Sequence, residues 1–596
     1  MSIISSVFFL LGLLSFKDVK SNINYNVKLN YTAKVNHIYN SDSEWKRIEL
    51  KLLNQKSSMS KLLLIAKSFN FSNSDIISLD LFINKISNKG NPGEFDVENY
   101  YRSKDIIGIS YYDNTNNSID LIQHYRKSGF NYFINRIRSN LIKIIDSNLN
   151  SNNSALAKAL ILGDKTSLDK SIKQDFSNTG AIHVLAVSGL HVGILLSIIL
   201  YVLALFSKYL NKKQAYFIAI LFLWFYALIT GFSASILRAT FMFSILVFSK
   251  VFSKSNNSIN TLCFTAFILL LINPNYLYDI GFQLSYLAML GIFIFYKIIY
   301  SKFTFKFRFI NILWQGTSVG LSAQLFTFPL TIFYFHQFPN YFILTNLGLI
   351  MITGIILSIG VLSIVFSKVI YLNKLFFILF SFVLILLLKF ISSISNLPYS
   401  VAYGFNLTFY EVLFLYLIIL VVFLLLSANK SIGYLLPFVL FTLVYIEYKR
   451  FQNLNCSEIV FFNSKKSLFV VKDGLNSKCF YSGDIKNAKY IMNSYLKIKP
   501  SKVSFQNINK YDEIDVSNKN ININIRNLSN YTLVNINDEK YFLGESVNKQ
   551  KLDKFENYTF ILNKKTSNLS SIKSINYLEG GAVFYDIKKS DQFDRI

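Results

Sequence analysis

The sequence predicts a polytopic α-helical membrane protein, with about ten core spans plus a short N-terminal anchor. A β-domain precedes the core, and a β-rich or α+β soluble domain follows it. Three observations predict this class. Apolar residues make up 52% of the 596 and charged residues only 16%, against roughly 25% charged in an average soluble protein. The apolar residues gather in one block, 181–447, and the loops that interrupt it alternate between basic and free of Lys and Arg. With a mean hydropathy of +0.36, the chain lacks the polar residues to coat its own surface in water, which excludes a wholly soluble enzyme and a disordered chain.

The elements follow in order. Ile3 to Leu14 is an apolar run too short for a span of about 20 residues. No small-residue cleavage site follows it, so residues 1–20 read as an anchor. Residues 21–127 alternate: Tyr25, Val27 and Leu29, then Ile48 and Leu50, then Leu62–Phe69, Ile77–Ile83 and Ile106–Tyr112. Turn signals at Asn40-Ser41-Asp42 and Gly90-Asn91-Pro92-Gly93 separate these stretches, as in a small β-domain of barrel type. The period then changes. Phe130, Phe133, Ile134, Ile137, Leu141, Ile144, Ile145 and Leu149 share one helical face, with Arg136, Arg138 and Lys143 off it, so residues 128–180 read as an amphipathic helical connector resting on a membrane.

Within 181–447 the stretches are 181–207, 215–230, 233–249, 258–272, 279–296, 309–334, 341–366, 375–393, 409–427 and 432–447. Alternate loops carry Lys208, Lys212 and Lys213; Lys250 and Lys254; Lys297, Lys302, Lys306 and Arg308; Lys368 and Lys374; and Lys430. Loops 231–232, 273–278, 335–340 and 394–408 carry neither Lys nor Arg. The positive-inside rule puts the basic loops in the cytoplasm, so 21–180 and 448–596 are expected on the other side. Lys389, near the outer end of its span, is the awkward charge. Residues 448–596 are strand-prone at Glu458–Phe462, Ser467–Val471, Lys502–Phe505, Ile521–Ile525 and Tyr558–Leu562. Cys456 and Cys479 lie in this last domain, where a bridge is feasible, while Cys263 stands alone in the core.

A net charge of +27 suits an acidic partner, nucleic acid or anionic lipid, although a Lys- and Asn-rich coding bias raises the same number. His336 is the last histidine, so 337–596 hold none, and a catalytic zinc site there lacks its usual imidazoles. Neither a G-x-x-x-x-G-K-[ST] loop nor a G-x-S-x-G elbow occurs. The expectation is therefore a conduit or binding protein, not an enzyme, with no metal and no cofactor.

Polar residues stand where lipid should be. Ser188 and His191 follow His183 near the start of the first span, Arg238 sits just inside another, and Asp279 and Gln283 open a third. Gln324 is mid-span; His336 and Asn346 come next. Such groups cost kilocalories each against acyl chains, so they face protein or a watery cavity. Bland readings compete. His183 and His191 are too far apart for a helical metal pair, Ser188 beside Gly189 suits close packing, Arg238 can snorkel, and Asp279 is a natural N-cap. Gln283 and Gln324 could form an interhelical bond.

Four blocks resemble the ComEC family of competence proteins over roughly residues 20–450. They are Asn91-Pro92-Gly93-Glu94-Phe95-Asp96 with Tyr100-Tyr101; Gly163-Asp164 through Thr179-Gly180 to His183…Ser188-Gly189-Leu190-His191; Thr230-Gly231 through Arg238-Ala239, with Gly281-Phe282-Gln283-Leu284-Ser285-Tyr286; and Pro329 with Phe335-His336-Gln337-Phe338 and Asn346. The resemblance implies an OB-like N-terminal domain and a bacterial inner-membrane channel passing single-stranded DNA to the cytoplasm. It implies a path chosen from Ser188, His191, Arg238, Gln283, Gln324 and His336, with Asp164, His183, Asp279 and Asn346 as signature residues. The expected partners are single-stranded DNA, membrane lipid, a DNA receptor outside, and a cytoplasmic helicase or translocase. Many relatives end in a metallo-β-lactamase-like domain; residues 448–596 lack its histidines, as in a degenerate relative or an unrelated domain. A secondary transporter for a small anionic solute, or a structural anchor of an envelope assembly, are the alternatives.

Overall fold

The computed structural model describes residues 28–595 apart from 40–44, 54–60, 68, 70, 72–74, 113–118, 124–129, 186, 252–256, 304, 428–435, 465, 509–512, 519–520, 529–530, 537–538, 545–557, 563–574, 578–580 and 587–592. The expected anchor at 1–20, Tyr25, Val27, Lys254 and Lys430 lie outside the described residues. The chain forms two compact units. One comprises Met1–Ile86, Glu98–Phe328 and Phe338–Val401; the other comprises Ser87–Val97, Pro329–Gln337 and Ala402–Ile596.

In the first unit, strands β1 (Lys28–Tyr39), β2 (Lys46–Leu52), β3 (Lys61–Ala66), β4 (Ile76–Phe82), β5 (Asn84–Lys85), β6 (Ile106–Tyr112) and β7 (Ile119–Gln123) form one sheet ordered β5-β6-β3-β2-β1-β4-β7, curved into a half-barrel. Its pairs are antiparallel except β3–β6. Alternation sets the core: Ala33 and Val35, Ile48 and Leu50, Leu62 and Leu64, Ile77 and Leu79 all point inward and are buried. The barrel-type domain read from the sequence is thus present with seven strands, where an OB fold has five.

Helix α1 (Val97–Arg102) leads into β6; α2 (Phe130–Asn148), α3 (Ser151–Leu162) and α4 (Lys170–Asn178) make the connector. The apolar stripe of α2 packs on protein: Ile137, Leu141, Ile144, Ile145 and Leu149 join a cluster with Leu156, Leu160, Phe380 and Leu384. Among the described residues of α2, the large exposed rings are Phe130, Tyr132 and Phe133, all in its first turn. The membrane-surface helix expected here is therefore mostly a bundle helix, because its stripe finds a protein partner first.

Helices then occupy the hydrophobic stretches: α5 (Ile182–Leu185), α6 (Gly189–Leu205), α7 (Lys212–Ile229), α8 (Ala234–Val251), α9 (Ser258–Ile272), α10 (Ile280–Tyr300), α11 (Arg308–Phe335), α12 (Phe342–Val365), α13 (Ile370–Ser395), α14 (Phe409–Ser427) and α15 (Leu436–Asn455). Among the described residues, six helices are long and apolar enough to cross a membrane: α7, α10, α11, α12, α13 and, over Phe409–Leu426, α14. Helices α6 and α9 are shorter and apolar. The first expected span, 181–207, is broken into α5 and α6 by the extended backbone at Ser188. Side-chain caps fix several starts. Asn211 and Gln214 exchange bonds at α7, and Asn257 accepts from the first amides of α9.

In the second unit, two short strands, β8 (Gln337–Pro339, shared with the first unit) and β9 (Val401–Tyr403, likewise), precede a layered domain. Its strands are β10 (Ser457–Phe461), β11 (Leu468–Asp473), β12 (Asn476–Tyr481), β13 (Lys502–Asn507), β14 (Glu513–Asn518), β15 (Ile521–Leu528), β16 (Tyr531–Ile536), β17 (Glu539–Gly544), β18 (Thr559–Leu562), β19 (Ile575–Tyr577), β20 (Val583–Asp586) and β21 (Phe593–Arg595), with helix α16 (Ile485–Ile498) after β12. They form two six-stranded sheets, β13-β12-β11-β10-β20-β21 and β14-β15-β16-β17-β18-β19. Ile459, Phe461, Phe469 and Phe480 face Ile525, Val534, Tyr541 and Ile561 between the sheets. Val460, Phe462, Val470 and Cys479 face Met492 and Tyr495 of α16 on the other side. Strand alternation thus feeds two cores from one sheet. The cysteines are free. A Cys456–Cys479 bridge, feasible by sequence, does not form, because β11 pairs between β10 and β12 and Cys479 is turned toward α16.

Candidate membrane-embedded site

The candidate residues lie on the turn after α3 and on α6, α8, α10 and α11; α6 packs on α7 and α8, and α10 packs on α8. Gly163 ends α3 in the left-handed conformation with its amide on the Lys158 carbonyl. Asp164 then accepts from the Thr166 amide at 3.1 Å and its hydroxyl at 2.6 Å. This signature pair is a turn device. Gly180 has φ +76, and a Cβ there would press on Pro339; His183 binds the Gly180 carbonyl through Nδ1 at 2.9 Å. His183 is thus a loop tie.

Ser188 and His191 are joined. The Ser188 amide donates to His191 Nδ1 at 3.3 Å, and the Ser188 hydroxyl lies 2.9 Å from the same nitrogen. An accepting Nδ1 assigns the neutral ring's proton to Nε2. That atom is fully buried and has no partner among the described residues. Arg238, on the first turns of α8, is 4% exposed. Its guanidinium lies 5.5 Å from the Tyr286 ring centroid, while Nη1 has no acceptor among the described residues. The turns bearing these two groups adjoin, since a Cβ on Gly189 would touch Ala239 at 3.8 Å. Thr240 and Ser318 add buried hydroxyls that are also unpartnered among the described residues. Tyr286 bonds Thr265 at 3.3 Å.

The remaining candidates are tied or separate. Asp279 caps α10 through the Phe282 amide at 2.8 Å, as its N-cap reading expects. The Gln283 amide donates to the Leu277 carbonyl at 2.7 Å, holding the preceding loop. Gln324 is half-buried on α11. Asn346 lies over that helix at Gly320, one turn away, where an added Cβ would meet its Nδ2 at 3.5 Å. His336 belongs to the second unit, with φ +53 and Nδ1 3.1 Å from the Phe405 carbonyl. Burial holds its imidazole below the usual value, against the pull of that bond and with the Lys497 charge adding. The structure therefore joins Ser188 to His191, places Arg238 on the neighbouring helix against Tyr286, and assigns Asp164, His183, Asp279, Gln283 and His336 to holding loops.

Sequence reading missed three positioning contacts. Arg138 of α2 reaches the C-terminus of α7, donating to the Ile229 carbonyl at 3.4 Å, a favourable place for a cation. Asp105, at φ +61, accepts from Asn275 at 2.8 Å and Asn273 at 3.3 Å, and Arg102 lies over the Tyr278 ring. These pin the half-barrel to the loop before α10. Only the Asn-Pro-Asn turn at 273–275 hinted at them. In the second unit, the Asn91 side chain exchanges two bonds with the Asn463 backbone, at 2.8 and 3.1 Å.

A family model described as "Competence protein" matches residues 160–429. The chain is 30% identical over 248 residues to ComE operon protein 3 of Bacillus subtilis, covering 41% of this chain and 30% of that one. It is 22% identical over 306 residues to Recombination protein 2 of Haemophilus influenzae, covering 50% and 37%. An uncharacterized protein of Aquifex aeolicus is 29% identical over 181 residues, or 30% and 42%. The matched stretches thus span less than half the length of each curated relative. No solved structure matches. The matched residues include Asp164, Ser188, His191, Arg238, Gln283 and Asn346, so the stretch 160–429 carries the core of a competence protein.

Proposed function

We propose that the protein takes up DNA for competence, as the inner-membrane channel through which a single strand reaches the cytoplasm. The competence-family core supports DNA uptake. One observation carries the channel reading: Arg238, a buried cation on a core helix, has an N–H with no acceptor among the described residues, and Nε2 of His191 on a neighbouring helix has no partner there either. A lone buried cation costs several kcal/mol, and a passing phosphate supplies the missing acceptor. In this reading the serine, imidazole and guanidinium replace the water that a polyanion sheds. The scheme uses ten spans with basic loops inside and both soluble domains outside, so the strand meets the β-domain before the core. A receptor delivers it, and a cytoplasmic helicase or translocase supplies the work. Nuclease chemistry is left to another chain.

Transformation frequency and uptake of labelled DNA test this directly. Arg238→Ala and His191→Ala are expected to lower both at least about tenfold, the equivalent of 1.4 kcal/mol, at unchanged protein level. Normal uptake in both variants removes the two residues from the path.

A further inference from the structure

The connection between α10 and α11 reads Lys302-Phe303-Thr304-Phe305-Lys306-Phe307-Arg308-Phe309, with rings at the odd positions and cations at three of the even ones. Nothing in the sequence nearby offsets that charge, since no Asp or Glu occurs between Asp279 and Glu411. Among the described residues, Lys302, Lys306 and Arg308 form no ion pair. The first turn of α11 also lacks an acidic residue, so Lys306 and Arg308 stand at the helix end whose dipole already disfavours a cation. An anion relieves both conflicts.

The rings face outward. Phe307 is 73% and Phe309 64% exposed. Phe303 and Phe305 are exposed as well, and each meets the Trp314 ring near edge-on, with centroids 5.2 and 6.4 Å apart. Trp314 in turn donates through Nε1 to the Tyr300 carbonyl at 3.1 Å, and the Asn311 amide donates to the Tyr300 hydroxyl at 3.1 Å. Tyr300 stacks on Tyr296 at 5.5 Å. The end of α10 is thereby tied to the start of α11, and the loop is held between them. Both helices are long and apolar enough to span a bilayer, and Tyr and Trp at their joined ends are the residues that favour the headgroup level.

We propose that this loop is a binding site for an anionic phospholipid, with the phosphodiester on Lys302, Lys306 and Arg308 and the acyl chains beside Phe307 and Phe309. Such a lipid matches rings and cations at once, because its charge and its apolar chains arrive together. Nucleic acid would match the cations, but it needs rings standing clear in water, and a short connection between two spans keeps these rings at the bilayer surface. The inference is independent of the DNA path and rests on α10 and α11 crossing the membrane.

The test uses the native indole at the site. The chain has three tryptophans, so Trp45→Phe with Trp224→Phe leaves Trp314 as the reporter. The full chain is reconstituted in phosphatidylcholine vesicles holding a small fraction of acyl-brominated phosphatidylcholine or phosphatidylglycerol, and bromine quenches an indole only at contact range. Quenching is expected to give phosphatidylglycerol an association at least about fivefold stronger, equal to about 1 kcal/mol, the worth of one cation at an anionic surface. Lys302→Gln with Lys306→Gln and Arg308→Gln is expected to abolish the preference while phosphatidylcholine still quenches. Lys302→Arg with Lys306→Arg and Arg308→Lys keeps the charge and should keep the preference, which separates charge from misfolding. Equal quenching by the two lipids with the native loop, or a preference that survives the Gln set, would overturn the site. Oligothymidylate binding that disappears in the Gln set, with no lipid preference, would reassign the loop to nucleic acid.

Discussion

At the residue scale, the contrast lies between polar groups that are satisfied and polar groups that are not. Ser188, His183, Asp279 and Gln283 each find a bond within a few residues, which is what caps and turns do. Arg238 does not, and this makes its role separable from stability. Replacing an unpaired buried ion with an apolar side chain of similar volume is neutral or stabilising. Arg238→Met is therefore expected to melt at the same or a higher temperature in detergent while losing uptake. A lower melting temperature would mark Arg238 as a structural residue. The sequence exposed these polar positions because each interrupts an apolar run. It could not rank them, since whether a side chain finds a partner depends on the neighbouring helix, not on its own.

The connecting elements show how the polar motifs are used. Asn91-Pro92-Gly93-Glu94 is a strap within the second unit: Asn91 grips the Asn463 backbone, Asn463 returns a bond to the Lys89 carbonyl at 2.9 Å, and Ala582 donates to Gly90 at 3.1 Å. Gly93 has φ +66 and lies so close to Ser494 that any Cβ would overlap its carbonyl. Asn91→Ala leaves the Asn463 amide unpaired, at a cost of about 1–3 kcal/mol. Faster amide exchange is expected in peptides around Asn463 and Ser494; unchanged exchange would show that the strap adds no stability. Turn chemistry announced this loop, but its partner lies more than three hundred residues away, beyond local pattern. Strand β1 offers a pH test. Burial holds His37 below its usual value, Arg138 adds to this, and Glu49 and Asp164 oppose it. With the folded value lowered, the unfolded chain binds more protons below about pH 6.5. Stability should fall as pH drops through that value and level off below the folded one. His37→Gln should flatten the melting profile between about pH 7 and pH 5; an unchanged acid slope would assign it to other groups.

Across the whole molecule, the alternation of loop charge is the strongest signal in the sequence and remains the sharpest handle on topology. Helices stand where the apolar stretches lie, but length and composition alone qualify six of them. Loop charge carries the rest of the ten-span scheme, through the cost of moving Lys and Arg across a bilayer. Lys212 and Lys302 lie in basic loops, Leu277 and Leu397 in loops without Lys or Arg, and all four are exposed. With Cys263→Ser, Cys456→Ser and Cys479→Ala as background, single cysteines at these positions report sidedness. In intact spheroplasts, a membrane-impermeant maleimide is expected to label Leu277→Cys and Leu397→Cys at once, and Lys212→Cys and Lys302→Cys only after lysis. Labelling of 277 and 397 on opposite sides would mean that the helices between them, α10 to α13, do not all cross, and the parity that sends both soluble domains outside would fail with it. The same outcome would remove the geometry in which a strand captured outside meets the buried Arg238 on its way in, so topology decides more of the uptake scheme than any single side chain does.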